Sequence, residues 1–405
     1  MRRIGYLIPE FPGQTHIFFW RERQGLLARG IEPELLSTRK PPPGLVSHDW
    51  SSEAMAQTTY LFPPAPALAK SAALEMVRAA PIGWARCLQS IARAEGLDAK
   101  GRARLLALAF VGAEVVALAK KRGWLHVHAH TCADGAHIVM FSRLLGGPSY
   151  SLTLHGPLHE YGPNQREKWR HAKAAILISK RLDREVREAL AGSLPPKLGL
   201  APMGVQVEKF VRKGPYEPWR GQGPLRIFCT ARLNFGKGHE FLIRAVKRVR
   251  AEGIDARLEI AGEDDAGGSG YRKNVEACIR EENMGDFVTL AGAVNEASVR
   301  EKLEAAHVFA IGSLREGVPV AVMEGMAMSL PVVVTDVGGV TELVTDGEDG
   351  WVVPAERPDR LADRILDVAR NPERAIQFGA AGRKKVVTQF HSNRSVDVLD
   401  EIIPH

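Results

Sequence analysis

The sequence predicts an α/β protein built from two doubly wound, Rossmann-like domains. Three observations carry that expectation. The chain has 405 residues, more than one hydrophobic core comfortably encloses. Short β-rich runs alternate with helical patterns along its whole length, the rhythm of parallel sheets covered by helices. Midway, the polar stretch "VEKFVRKGPYEPWRGQGP" interrupts that rhythm, which then starts afresh.

In the first half, "RRIGYLI", "IEPELLS", "LHVHA", "SLTLH" and "AAILIS" read as strands. In the second half the strands are "LRIFCTA", "RLEIAG", "FVTLAG", "VFAIG", "PVVVTD" and "GWVVP". The expected boundaries are 1–204 for the first domain, 205–385 for the second, and 386–405 for a C-terminal helix that packs back on the first. The two series share a rhythm but no visible sequence repeat.

Composition narrows the class. Hydrophobic residues make up 45% and charged residues 25%, which excludes a disordered or collagen-like chain. The four cysteines, Cys87, Cys132, Cys229 and Cys278, show no CxxC spacing and read as free thiols in a reducing compartment. "MRRIGYLIPEFPG" has too short an apolar run for a signal peptide and reads as a first buried strand. The apolar run from Leu105 to Ala119 is interrupted by Glu114 and falls short of a membrane span. A soluble, cytoplasmic protein is expected, peripheral on the inner face of the cell membrane.

The net charge of +7 is local: between Pro64 and Leu125, ten Lys/Arg face four Asp/Glu. Lys70, Arg78, Arg86 and Arg93 recur at same-face helical spacing, and Pro81 divides the pattern into two helices. Leu68, Met76, Val77, Trp84, Leu88 and Ile91 lie between the cations. Amphipathic basic helices of this kind suit an anionic membrane surface, here residues 64–104. The zone lacks the aromatic interleaving of a nucleic-acid site, and no nucleic acid is expected as a partner. The competing reading packs the apolar side on the first domain and leaves the arginines solvated.

Ligands of doubly wound sheets sit at the carboxyl ends of the strands. In the second domain those positions hold "ARLNFGKGHE", "AGEDDAGGSG", "AGAVNE" and "GSLREGVP". In the first of these, Arg232 directly follows the strand and Lys237 lies beside two glycines at a helix start. Two cations and free helix N–H groups form an anion site suited to a diphosphate. The alternative is a solvated loop with incidental basic residues. The GxxxxGK[ST] pattern and the Rossmann dinucleotide fingerprint are both absent. Further on, Glu316 precedes Gly317-Val318-Pro319, with Pro319 suited to the first helical turn, and Glu324 falls inside the apolar pattern "VAVMEGMAM". Ionised carboxylates only accept hydrogen bonds, so the pair suits a polyhydroxyl ligand. Two helix-start acids stabilised by the helix dipole are the simpler alternative.

Arg232-x4-Lys237 followed by Glu316-x7-Glu324 and "PVVVTDVGGVTELVTDGEDGWVVP" resembles the family 4 retaining glycosyltransferases of the GT-B fold, in which two Rossmann-like domains face across a cleft. The resemblance extends over almost the whole chain. "GYLIPEFPGQTHIFFWRE", "HVHAHTCADGAHI" and "LTLHGPLHEY" are similar to the branch of colanic-acid and other exopolysaccharide glycosyltransferases. The resemblance implies that Arg232 and Lys237 bind the donor diphosphate and that Glu324 holds the ribose. It implies that Glu316, with Gly317 and Val318, meets the donor sugar, and that Ala293 and Val294 receive the base. His155, at the end of "SLTLH", would face the donor sugar, so that His155 and Glu316 are the expected catalytic residues. The loop Gly13-Gln14-Thr15-His16 differs from the commoner Ser-Glu-Thr version and would choose the acceptor. Gln206, Gly325 and Ser329 replace a common Asp, Ala and Gly, and leave the donor chemistry intact.

No metal or other cofactor is expected. His126, His128 and His130 alternate on one strand face with Cys132 beyond, which makes a zinc site imaginable. The same strand end resembles the family's metal-free pattern. "AGEDDAGG" has the look of an Asp-x-Asp metal motif but reads as a surface loop. His159 and Glu160 lie near His155, and an exposed loop is preferred over a lining of the acceptor side.

The resemblance implies an enzyme that moves a hexose from a UDP- or GDP-sugar to a lipid-linked glycan with retention, in exopolysaccharide or cell-surface polysaccharide biosynthesis. A non-catalytic sugar-nucleotide-binding subunit of a polysaccharide assembly and a sugar-nucleotide epimerase are the alternatives. The donor sugar, the linkage and the route of displacement are not legible in the sequence.

Overall fold

The computed structural model describes residues 2–42, 48–265, 267, 268 and 270–404. The first half contributes seven strands, β1 (Arg2–Ile8), β2 (Ile31–Arg39), β3 (Thr59–Phe62), β4 (His126–Ala129), β5 (Ser149–Leu154), β6 (Ala174–Leu177) and β7 (Lys197–Leu200). They form one parallel sheet in the order β3-β2-β1-β4-β5-β6-β7. The second half contributes β8 (Leu225–Thr230), β9 (Ala256–Ala261), β10 (Val288–Gly292), β11 (Val308–Ala310), β12 (Val332–Thr335) and β13 (Trp351–Val353). These form a second parallel sheet, β10-β9-β8-β11-β12-β13.

Helical crossovers cover both faces of each sheet, and the interior strands β4, β6 and β12 are buried at every position. The two strands that sequence reasoning misses, β3 and β7, lie at the edges of the first sheet. Each has four residues, mostly half-buried or exposed, so neither leaves a continuous apolar run to read.

The stretch expected as a linker carries no helix or strand, but it is packed. Phe210 and Tyr216 are buried in the second domain's core, and the Arg212 guanidinium donates to the carbonyls of Leu303 and Glu304 at 3.2 and 2.6 Å. Composition reported its lack of secondary structure and not its burial. The C-terminal helix Asn393–Ile402 lies on the first sheet, where Val396, Leu399 and Ile402 share a core with Ile4, Tyr6 and Leu35.

Each sheet reverses its winding once, between β1 and β4 and between β8 and β11. Crevices outside the carboxyl ends of strands open at such points. The two crevices face each other, and the loops that follow β1, β5, β8, β10 and β11 all line one cavity of about 1170 Å³.

Candidate functional site

The second-domain half of the cavity begins where β8 ends. The turn Phe235–Lys237 leads into the helix His239–Ala251 through Gly238, at φ +55°. A side chain on Gly238 would place its Cβ 2.1 Å from the carbonyl oxygen of Gly312, so only glycine admits this approach to the loop after β11. His239 Nε2 lies 3.0 Å from the Arg232 carbonyl and fixes the loop's start. Arg232 and Lys237 both line the cavity. Arg232 is paired with Asp265 at 3.3 Å, and Lys237 Nζ lies 2.8 Å from Glu316 Oε1. The expected diphosphate cation and the expected sugar carboxylate are thus ion-paired.

Glu316 also accepts from Ser313 Oγ at 2.7 Å, and Thr335 Oγ1 donates to the Ser313 carbonyl, tying this loop to β12. Pro319 stands at the cap of the helix Val320–Ala327, one place before the expected first turn, because its backbone is extended (ψ 113°). Gly317 passes so close to the first domain that a Cβ there would lie 2.7 Å from the His155 carbonyl oxygen. Ala293 and Val294 line the cavity after β10.

Glu324 faces the same cavity, nearly buried, but it has a partner the sequence did not announce. Arg21, from the helix Ile17–Ala28 of the first domain, places Nη2 3.0 Å from Glu324 Oε1 and 2.8 Å from Glu296 Oε2. Burial raises the Glu324 carboxyl above its ordinary range, and Arg21 opposes that shift. Burial acts on Glu296 in the same sense, but Arg21 outweighs it and the carboxyl is held low. The stretch "FFWRERQ" held a signal: adjacent charges, Arg21 and Glu22, inside an aromatic helix need buried partners.

On the first-domain side, His155 lines the cavity directly after β5. Its Nε2 lies 3.2 Å from His130 Nδ1, and burial lowers its pKa to about 3, so the imidazole is neutral at ordinary pH. Of the expected acceptor loop, Gln14 and Thr15 reach the cavity, whereas Gly13 and His16 are not among its lining residues. Gln14 makes a reciprocal pair across the domains: Nε2 donates to the Glu263 carbonyl at 2.8 Å, and the Glu263 amide donates to Oε1 at 3.0 Å. Glu342 likewise accepts from the Lys180 and Arg181 amides, closing the far side of the cleft. His159 and Glu160 are exposed, as expected of a loop, but they also line the cavity, since the turn Leu158–Tyr161 folds over its rim.

The alternating histidines are packed against hydroxyls. The nitrogens of His126 meet Ser149 and Ser151, and those of His128 meet Ser151 and Thr153, at 2.7–2.9 Å. Parallel pairing of β4 with β5 sets these residues opposite one another. Among the described residues, His128 and His130 cluster with Glu22 and not with Cys132, whose thiol burial pushes up to about 12. The four cysteines are free and buried. In the loop after β9, Asp264 is buried and accepts from the amides of Gly268, Gly270 and Arg272 at 2.9 Å. The loop lies at the surface as expected, with Asp265 and Gly267 exposed, and the Asp264 carboxylate is the buried hub that shapes its turn.

Among the departures from the resembling family, Ser329 sits at φ +56°, a conformation that glycine adopts freely. Gly325 packs under Phe309, where a Cβ would lie 3.0 Å from the ring.

Comparison with known proteins bears on what these residues can do. Residues 219–385 match the family described as Glycosyl transferases group 1. The chain is similar to WcaL of Salmonella typhimurium, a protein named for glycosyl transfer in colanic acid biosynthesis, at 26% identity over 246 residues, 59% of this chain and 58% of that one. It is also similar to the amylovoran biosynthesis glycosyltransferase AmsK of Erwinia amylovora, at 29% identity over 216 residues, 51% of this chain and 50% of that one. The chain thus spans about half the length of these relatives. Among solved structures, the sucrose-phosphate synthase of Thermosynechococcus elongatus superposes with a TM-score of 0.74 at 18% identity, covering 99% of this chain and 98% of the other. HepE of Anabaena in complex with UDP-glucose superposes with a TM-score of 0.73 at 15% identity, over 99% and 98%. These likenesses show the fold, which is GT-B. Residues 219–385 of this chain are a glycosyl transferases group 1 domain, built around the Arg232, Lys237, Glu316 and Glu324 side of the cavity.

Proposed function

We propose that the chain is a retaining glycosyltransferase, which moves a hexose from a nucleoside-diphosphate sugar to a lipid-linked glycan in exopolysaccharide or cell-surface polysaccharide biosynthesis. One observation carries this reading: two cations, Arg232 and Lys237, and two carboxylates, Glu316 and Glu324, line one cavity opposite the neutral His155. The cations, with the helix that starts at His239, suit the diphosphate and stabilise it as it leaves, which is usually the largest catalytic contribution. Glu324 suits the ribose and Glu316 the sugar hydroxyls, since both carboxylates only accept. Lys237 and Glu316 already meet at 2.8 Å, so an incoming phosphate shares or replaces that pair. The work of a cation falls to these side chains, and transfer is expected to proceed in EDTA.

The names of similar proteins point to either base: HepE is solved with UDP-glucose, and a 27%-identical Mycobacterium tuberculosis relative is named as GDP-mannose-dependent. A lipid-linked acceptor would sit beside a membrane, and the first domain offers a surface suited to one. Leu74, Val77, Ile82, Trp84 and Leu88 are exposed next to Lys70, Arg86 and Arg93. No helix among the described residues is long and apolar enough to cross a bilayer.

A panel of UDP- and GDP-sugars tests the reading. One of them raises the melting temperature by mass action and is slowly cleaved to the nucleoside diphosphate with retained anomeric configuration. Stabilisation without cleavage would instead indicate a binding subunit, and interconversion of the sugar an epimerase.

A further inference from the structure

We infer that Tyr6, Glu22 and His130 form a buried positioning relay, which fixes the nitrogen of His155 that carries the proton and so presents an acceptor nitrogen to the donor sugar. The inference rests on the reading that sets His155 against that sugar.

The relay runs inward from the cavity. His155 Nε2 lies 3.2 Å from His130 Nδ1, and His130 Nε2 lies 2.9 Å from Glu22 Oε1. The second approach is off the line of a straight hydrogen bond, so its hold on the proton is chiefly electrostatic. Tyr6 OH donates to the same Glu22 oxygen at 2.7 Å. Tyr6, Glu22 and His130 are each at most 2% exposed. The rings are caged: His130 lies edge-on to Tyr6 and tilted on Phe19, and His155 lies edge-on to Phe19.

The chemistry gives the chain a direction. A carboxylate accepts and cannot donate, so the nitrogen of His130 that faces it carries the proton. Nδ1 of the neutral His130 then has only a lone pair and must accept from His155. That places the His155 proton on Nε2 and leaves a lone pair on Nδ1. Among the described residues, nothing hydrogen-bonds to Nδ1 of His155, and the residue lines the cavity. Burial keeps both rings neutral. The site therefore presents an acceptor, suited to a sugar hydroxyl, and does not present an N–H. The nearby His128 takes no part, because Ser151 and Thr153 occupy both of its nitrogens.

Histidine-selective 15N spectra of the intact protein decide the matter, with the His155 signals identified by their loss in His155→Gln. The expected result is an Nε2–H tautomer at His155 in the wild type. Glu22→Gln should convert it to a mixed or reversed tautomer, since an amide can donate to His130 as well as accept. An Nδ1–H tautomer in the wild type overturns the inference without any variant, as does a folded Glu22→Gln with unchanged His155 signals. Turnover supplies a second readout. Glu22→Gln should slow sugar transfer by roughly tenfold, about one hydrogen bond's worth, with nucleoside-diphosphate affinity unchanged. It should add nothing in a His155→Gln background, and additive losses would overturn the coupling. A wild type that cleaves no nucleotide sugar would instead refute the transferase reading, and the tautomer would still decide the relay.

Discussion

Arg21 of the first domain lies 3.0 Å from Glu324 of the second, so the carboxylate suited to a ribose is held by a cation from across the cleft. The same guanidinium reaches Glu296 at 2.8 Å, and Arg21 is 3% exposed. A buried pair is a weak net stabiliser, but removing one partner strands the other charge. Arg21→Met is therefore expected to cost about 3 kcal/mol of stability and to loosen the two domains. Thermal unfolding of Arg21→Met, Glu324→Gln and the double variant checks this. The double variant should recover part of the loss, and an unchanged melting temperature in Arg21→Met would remove the latch.

Lys237→Ala and Arg232→Ala should each weaken UDP or GDP binding by roughly tenfold to a hundredfold, the range for hydrogen bonds to charged groups. Glu316→Gln should keep nucleotide affinity while turnover falls, because that carboxylate is assigned to the sugar. Isothermal titration beside steady-state rates separates the two effects. Equal loss of affinity in Glu316→Gln and Lys237→Ala would mean that Glu316 acts only by orienting Lys237.

Glu114 gives a pH prediction. Its carboxyl is fully buried in the helix Ala99–Arg122, neither oxygen has a hydrogen-bond partner, and burial raises its pKa to about 7. A group whose folded pKa is raised gives its full stability below the unfolded value of 4.5 and loses it as pH rises through about 7. Glu114→Gln should match the wild type near pH 4.5 and melt at a higher temperature at pH 8. The same melting difference at both pH values would show that Glu114 does not titrate in this window.

The exposed face of residues 64–104 should bind anionic vesicles. Each cation near such a surface contributes on the order of 1 kcal/mol, and Trp84, 45% exposed, should report insertion by a blue shift. Changing Arg78, Arg86 and Arg93 to Glu should abolish flotation at low salt. Equal flotation of both proteins, or none for the wild type, would leave the stripe a solvated face. The structure divides the apolar residues of this zone: Val77, Trp84 and Leu88 are exposed, whereas Leu68, Met76 and Ile91 pack inward. Period alone could not separate them, because two short helices joined at Pro81 each turn a different arc to the core.

The sequence by itself determined the two parallel sheets and the second-domain side of the cavity. Interior strands must be largely apolar on both faces, so β1, β6, β8, β11 and β12 stand out as mostly apolar runs, and the residues after them face the crevice whatever the tertiary detail. Arg232, Lys237, Glu316 and Glu324 were legible for that reason. Only the tertiary structure decided who partners them. Lys237 meets Glu316 across the β8–β11 crevice, and Arg21 meets Glu324 across the domains, at separations of 79 and 303 residues that no local pattern encodes. The edge strands β3 and β7 escaped because half-exposed strands need no apolar run. The pairing of Glu22 with His130 escaped because the two residues lie on separate elements, a charged helix turn and a strand end of alternating histidines, and nothing in either stretch names the other. Their chemistry exists only once the helix Ile17–Ala28 packs beside the end of β4, where a carboxylate without water must find a proton donor.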